Sequence, residues 1–137
     1  YMETSSYFTL SEQLQIAIKT LQKGNIEKYS DVALHLCKKL CRLYINELKD
    51  LMGHSSYNLD YSDQKLFHDL HSIDDSSEYI ATLEIFAEFA NELEKIDENS
   101  ISENNQILEK YGTEWLKKSI DDMSLISDYI ETLRKKA

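Results

Sequence analysis

The sequence predicts an all-α fold, a bundle of six to eight helices packed around one central hydrophobic helix at about residues 77–96. Two observations carry this prediction. Apolar residues recur at helical spacing along the chain, and no segment alternates polar and apolar residues as a half-buried strand would. The 137 residues include no proline, which would interrupt a helix, and only three glycines, each following an apolar helical pattern.

The first two helices are each bounded by a glycine stop. The residues from Thr9 to Glu12 form a capping box, which predicts a helix over about Thr9–Lys23 that Gly24 ends. The second helix is predicted over about Ile26–Met52 and ends at Gly53. Its inner face carries a row of apolar residues at helical spacing: Tyr29, Val32, Ala33, Leu36, Cys37, Leu40, Leu43, Tyr44, Leu48 and Leu51.

The central helix follows a turn-rich segment at residues 55–63 and a short helix at about Gln64–Ile73. Asp75 and Glu78 form the capping box that begins it. Its polar residues fall on one narrow strip, and the rest of its circumference is apolar, which predicts a helix enclosed by others on several sides. The strip comprises Glu84, Glu88, Asn91, Glu92 and Lys95, and the apolar positions are Ile80, Ala81, Leu83, Ile85, Phe86, Ala87, Phe89, Ala90, Leu93 and Ile96.

The last third of the chain predicts at least two more helices. After a polar loop, Ser100 to Glu103 form a third capping box, opening a helix that continues through Tyr111. Gly112 then marks a break, and a further segment begins at residues 115–118. The adjacent acids at 121 and 122 predict a turn or a helix start, because carboxylates favour caps. Residues 123–133 carry a final amphipathic helix.

The length of the chain limits the number of domains, and its net charge limits the classes of partner it can bind. One domain is expected over residues 9–137, and residues 1–8 are expected to be a flexible start, with Tyr1 before Met2 as an added remnant. The net charge of −10 argues against nucleic acid and anionic lipid as partners, since both attract Lys and Arg. The sequence has no run of 18 or more apolar residues, so none of these residues is predicted to span a membrane, and no secretory signal is visible.

The sequence predicts no enzyme, cofactor or metal site. Nucleases of the HEPN class are helical and of this size, but they need an Arg followed by a His about five to seven residues later. Arg42 is followed at that distance by Glu, Leu and Lys, and Arg134 by no His, so only an inactive HEPN-like bundle stays an alternative. His68 and His71 share a helix face, but spacing places no third metal ligand beside them.

The two cysteines indicate the kind of cellular compartment in which the chain is expected to function. Cys37 and Cys41 lie four residues apart on one predicted helix, where the geometry disfavours a disulfide. They are expected to be thiols of the core, which suits a reducing cytosolic setting.

The central helix carries a resemblance to a known family. Residues Ser77 to Phe86 read SEYIATLEIF, which resembles the central helix of poxvirus Bcl-2-like apoptosis inhibitors. Other segments resemble the same fold in type and order, and together they cover about residues 29–133. These are Tyr29 to Asp31, Cys37 to Lys39, Tyr44, Met52, Leu66 to Asp69, Glu114 to Leu116, and Tyr129 to Glu131.

The resemblance implies a fold, a partner and a site. The fold is a Bcl-2-like helical bundle whose hydrophobic groove binds the BH3 helix of pro-death proteins, of the Bak or Bax type or the BH3-only type. The chain would then act as a viral inhibitor of apoptosis, as a monomer or a homodimer. By position, the resemblance assigns ten residues to the groove: Cys41, Tyr44, Ile45, Leu48, Leu66, Leu70, Tyr79, Ile80, Leu83 and Phe86.

Two features set this sequence apart from the cellular relatives. Tyr79 stands where those relatives have an Arg that pairs with the invariant Asp of the ligand, and a phenol cannot form that two-pronged charged contact. Lys38 and Lys39 replace a Gly-Asp pair, so the chain is not expected to act as a BH3 donor itself.

An alternative function belongs to the same fold. Some poxvirus relatives have a closed groove and inhibit innate immune (NF-κB) signalling through a flat helical face or a dimer interface. The basic residues 134–136 resemble the boundary before a membrane anchor, so the expected location is the host cytoplasm, at the outer mitochondrial membrane if an anchor follows. These residues themselves are expected to make no membrane contact.

Overall fold

The computed structural model describes residues 10–55, 57–73, 78–96 and 101–136, and these residues form five helices and no strand. The helices are α1 (Leu10–Lys23), α2 (Ser30–Leu51), α3 (Asp63–Ile73), α4 (Ile80–Glu94) and α5 (Ile101–Lys136). The all-α class predicted from the sequence is confirmed. Three predicted capping boxes lie partly outside the described residues, because they begin at Thr9, Asp75 and Ser100.

The turn between α1 and α2 makes α2 begin later than the predicted Ile26. The backbone N–H of Gly24 donates to the carbonyl of Leu21 at 3.1 Å, which ends α1. The side-chain oxygen of Asn25 then accepts from the N–H of Lys28 at 3.1 Å. This contact and the bond from the N–H of Tyr29 to the carbonyl of Asn25, at 3.0 Å, form a separate capped turn, and regular helix begins only at Ser30.

Helix α2 contacts all four of the other helices in the described part of the chain. The predicted inner face is buried only in part, because Tyr29, Val32, Leu36 and Leu43 are exposed on the side of α2 that no described helix covers. On the buried side, the phenol of Tyr44 donates to the carbonyl of Leu14 on α1 at 3.3 Å. Cys37 and Cys41 are both free thiols in this core, as predicted. Its buried apolar residues are Ala33, Leu34, Cys37, Leu40, Cys41, Tyr44, Ile45 and Leu48.

Helix α4 is enclosed on fewer sides than the sequence predicts. It packs against α2, α3 and α5, and it buries Leu83, Phe86, Phe89, Ala90 and Leu93. Most of the predicted polar strip is exposed, but so is Ala81, and Ile85 is 41 % exposed. Ala81 and Ile85 remain in solvent because no further described helix packs on that side of α4.

Gly112 divides α5 into two helical segments, as predicted. Its φ of +84° and ψ of 165° lie in a region that only glycine adopts without strain. The helix then continues without interruption to residue 136, and the predicted turn at Asp121 and Asp122 is wrong. No glycine or proline follows Gly112, and both acids have partners while they remain helical: Gln22 of α1 donates to Asp121 at 2.9 Å, and Lys118 of α5 pairs with Asp122 at 3.3 Å.

The segment after Gly112 completes the core. Helix α5 packs against α1, α2 and α4, and the buried residues Ile120, Met123, Ile126 and Ile130 form its inner face. Near its end, Arg134 donates to the buried carboxylate of Glu47 on α2. No helix in the described ranges has the length and apolar content that a membrane span needs.

Candidate helix-binding groove

Eight of the ten residues assigned to the groove by resemblance lie in the core of this structure. None of the eight is more than 2 % exposed, because α3, with its buried Leu66 and Leu70, packs against both α2 and α4, and α1 and α5 also pack against α2. The residues assigned by resemblance therefore do come together, but they are buried in this conformation, and of the eight only Ile45 lines the open groove described below. The eight are Cys41, Tyr44, Ile45, Leu48, Leu66, Leu70, Leu83 and Phe86.

The other two assigned residues, Tyr79 and Ile80, are half-buried at the start of α4. The Tyr79 ring packs against Tyr129 of α5, with 5.1 Å between ring centroids and 39° between ring planes. Tyr79 therefore contacts α5, a helix that α3 does not contact in the described part of the chain.

An open groove does exist between α3 and α4, farther along α4 than the predicted one. Its volume is about 420 Å³. Ala87 and Ala90 lie three residues apart on α4, and their short side chains leave a depression that Phe67 of α3 borders. The groove is lined by Ile45, Asp63, Gln64, Phe67, Ala87, Glu88, Ala90, Asn91 and Glu94, so it shares only Ile45 with the predicted set.

Phe67 connects the groove to the core. Its ring meets Phe86 of α4 edge-on, with centroids 6.2 Å apart, and Phe86 in turn meets Tyr44 of α2 at 6.1 Å. Aromatic pairs prefer edge-to-face arrangements of this kind, which add to the stabilisation from burial. The apolar floor of the groove is therefore supported by packed aromatic residues from three helices.

An ionic cluster closes one end of the groove and joins α2, α3 and α4. Arg42 of α2 donates to Asp63 of α3 at 3.0 and 3.2 Å and to Glu94 of α4 at 2.7 and 3.2 Å. The ammonium of Lys49 lies 3.0 Å from Oδ1 of Asp63, which also accepts from Arg42, and the Lys49 side chain is only 8 % exposed.

The charges of this cluster shift the pKa of two of its members. Burial works to raise the pKa of Asp63, but the hydrogen bonds and charges of Arg42 and Lys49 outweigh it and hold the pKa below its usual value. The hydrogen bond from Arg42 to Asp63 is the main cause that raises the pKa of the guanidinium. Both groups are therefore charged at neutral pH.

A second cleft, of about 390 Å³, lies between α4 and α5. It contains the single tryptophan of the chain, Trp115, which stacks on Tyr111 at 4.5 Å and meets Phe89 edge-on at 5.0 Å. The aromatic rings pack against one another, and the ammonium of Lys110 already lies 5.0 Å from the Tyr111 ring centroid. Because this cleft uses its rings internally, the α3–α4 groove is the better candidate for a ligand.

His71 and the two cysteines are held in structural contacts. His71 Nδ1 lies 2.6 Å from the carbonyl of Phe67, and its Nε2 lies 3.4 Å from Glu84. Burial raises the pKa of Cys37 to about 12 and that of Cys41 well above its usual value, so both remain protonated. The described ranges contain no group of three or more His, Cys, Asp or Glu residues that could hold a metal ion.

Sequence reasoning missed most of the residues that line the open groove. One signal was present: Ala87 and Ala90 are the small residues on the apolar side of α4, beside the exposed Glu88 and Asn91. Small residues between polar ones predict a depression at the surface as well as a close approach of helices. The sequence carries no such signal for Asp63 and Glu94, because their place in the groove depends on ion pairs with Arg42 of another helix.

Comparisons with protein-family models, with curated proteins and with solved structures found no match to this chain.

Proposed function

We propose that this chain binds an amphipathic helix of a partner protein in the α3–α4 groove. The BH3 helix of a pro-death protein is the proposed ligand, because the sequence resembles poxvirus Bcl-2-like apoptosis inhibitors. The supporting observation is the groove itself, which runs along α4 from Ala87 to Glu94. These residues extend about 10 Å, which matches the two turns over which a ligand helix presents its apolar anchors.

The arrangement of α3 supports a deeper binding mode as well. Helix α3 packs only against α2 and α4 among the described helices, and its residues Leu66 and Leu70 are fully buried in the core. If α3 moves outward, the groove extends into the set of residues that the resemblance assigns. A ligand helix would then replace the apolar contacts that α3 makes here.

The decisive experiment is a binding titration against a panel of BH3 peptides. At least one peptide should bind with a dissociation constant in the micromolar range or tighter, which corresponds to about 8 kcal/mol. Shortening the central Leu of that peptide should weaken binding more than changing its invariant Asp to Ala. The reason is that the position of the usual Arg is taken by Tyr79, which packs against α5.

Matched variants on α4 test the location of the site. Ala87→Arg places a long charged side chain in the groove and should abolish binding, whereas Ala81→Arg lies on the exposed side of the same helix and should not. Circular dichroism of both variants checks that they fold. Equal binding by the two variants would exclude the α3–α4 groove, and failure of every BH3 peptide would exclude this ligand class.

A closed-groove inhibitor of innate immune (NF-κB) signalling is the second candidate. One observation favours it: eight of the ten assigned groove residues are at most 2 % exposed. Such a protein would act through a flat face, and α2 offers one in the exposed residues Val32, Leu36 and Leu43. Inhibition of an NF-κB reporter by the wild type, lost in Leu36→Asp and retained in Ala87→Arg, would support this candidate over the first.

Two further expectations accompany these proposals. With either function, the host cytoplasm is the proposed location, at the outer mitochondrial membrane if an anchor follows these residues. An inactive HEPN-like bundle is the remaining alternative, and its Arg position, Arg42, is paired here with Asp63 and Glu94. A ribonuclease assay of the wild type and Arg42→Ala tests whether the chain has any nuclease activity at all.

A further inference from the structure

We infer that the α3–α4 groove selects partner helices whose polar flank carries Lys or Arg, and disfavours helices whose flank carries Asp or Glu. This inference rests on the proposed function. It concerns the chemistry of the ligand beside its apolar face. The groove has three charged lining residues, and all three are carboxylates: Asp63, Glu88 and Glu94. Its other polar lining residues, Gln64 and Asn91, are neutral amides.

The nearest guanidinium is not available to an acidic ligand. Arg42 donates to both Asp63 and Glu94, and Lys49 also pairs with Asp63. An Asp brought in by a ligand would have to displace one of these carboxylates, which would then face the ligand without its partner. An acidic residue of the ligand therefore adds no affinity for a groove that contains this cluster.

Glu88 is the residue on which the selection depends. It is exposed on α4, and it takes part in none of the ion pairs formed by the described residues. A Lys or Arg beside the apolar face of a bound helix would lie at the groove rim, where this carboxylate can pair with it. The overall charge of −10 acts in the same direction, because it speeds the approach of a basic partner.

The test uses three peptides with one apolar face and different flanks. The flanking positions carry Lys in the first, Gln in the second and Glu in the third, and fluorescence anisotropy measures each dissociation constant at low and high salt. We expect the Lys peptide to bind most tightly and the Glu peptide least tightly, about tenfold apart at low salt. This difference should shrink at high salt, since exposed charges are screened.

A charge-reversed pair of variants separates the groove from the general field of the protein. Glu88→Lys should remove or invert the preference for the Lys peptide. Asp50→Lys makes the same change in net charge at the exposed C-terminal turn of α2, outside the groove lining, and should retain most of the preference. Lys is also favourable at a helix C-terminus, so this control should fold.

The outcomes distinguish the inference from the function on which it rests. If none of the three peptides binds, the proposed helix-binding function fails. If all three bind equally, or the Glu peptide binds best, helix binding stands and the charge selection is wrong. Equal loss of preference in Glu88→Lys and Asp50→Lys would also overturn the inference, because the effect would then come from net charge alone.

Discussion

Arg42 and Asp63 form a two-pronged contact between α2 and α3, with Nη1 3.2 Å from Oδ1 and Nη2 3.0 Å from Oδ2. Because Nη2 also lies 2.7 Å from Glu94 on α4, one side chain fixes the positions of three helices around the groove. The side chains of Arg42 and Asp63 are 37 % and 38 % exposed, so solvent screens this contact only in part.

Arg42→Ala should lower the free energy of unfolding by about 1–2 kcal/mol, between the values for a surface pair and for a buried charged hydrogen bond. Arg42→Lys should recover only part of the loss, because Lys cannot make the two-pronged contact. Lys95→Ala removes the exposed pair with Glu92 and should change stability by at most about 0.5 kcal/mol. Denaturant melts measure all three, and a loss in Arg42→Ala no larger than in Lys95→Ala would contradict this role.

The same contact predicts a dependence of stability on pH. The pKa of Asp63 is lower in the folded chain than its ordinary value of 3.8, so its contribution to stability is complete above that value. The contribution is lost as the pH falls through the lower folded pKa. Asp63→Asn should therefore lose stability at neutral pH and show a shallower decline below about pH 4. Parallel stability curves for the two proteins between about pH 5 and pH 2 would contradict the prediction.

The sequence predicts the helices well because their signals are local. Gly24, Gly53 and Gly112 each follow a helical segment in the structure, and Gly53 and Gly112 have a positive φ. The burial of Leu83 and Phe86 follows from their spacing on α4. The prediction of a turn at Asp121 was wrong because a carboxylate that could cap a helix can instead accept a hydrogen bond from another helix, here from Gln22 of α1.

The position of the groove could not be predicted with the same success. Whether Leu66 and Leu70 line a groove or fill it depends on how closely α3 packs against α2 and α4, and apolar spacing is the same in both cases. The ionic cluster of Arg42 likewise depends on the angle between helices. Such a packing angle is set by the whole core, so no single helix carries a signal for it.

Phe86→Ala and Phe89→Ala should each reduce stability by about 3–5 kcal/mol, the range for emptying a buried aromatic site. The two rings are 1 % and 3 % exposed and make edge contacts with Tyr44 and Trp115 respectively. Glu88→Ala on the exposed side of the same helix should stay within about 0.5 kcal/mol. Chemical denaturation with the opposite order would mean that α4 presents its other face to the core.

Gly112→Ala should reduce stability by about 1–3 kcal/mol through backbone strain. An added Cβ would meet no atom within 4 Å, so the loss would come from the φ of +84° and not from a clash. Gly24→Ala is the matched control, since its φ is not positive and its nearest contacts are 3.5 and 3.6 Å. It should change stability by less than about 1 kcal/mol. A control loss as large as that of Gly112→Ala in thermal melts would show that the strain argument is wrong.

The pairing of α1 with the second segment of α5 has a consequence for synthesis of the chain. Gln22 and Asp121 are 99 residues apart in sequence, yet they are hydrogen-bonded, and the apolar faces of α1 and α2 are covered by residues after Gly112. Until those residues leave the ribosome, side chains such as Ile18 and Tyr44 have no complete core to enter. A nascent chain halted before residue 113 should therefore associate with chaperones or aggregate, because folding has to wait for the second segment of α5.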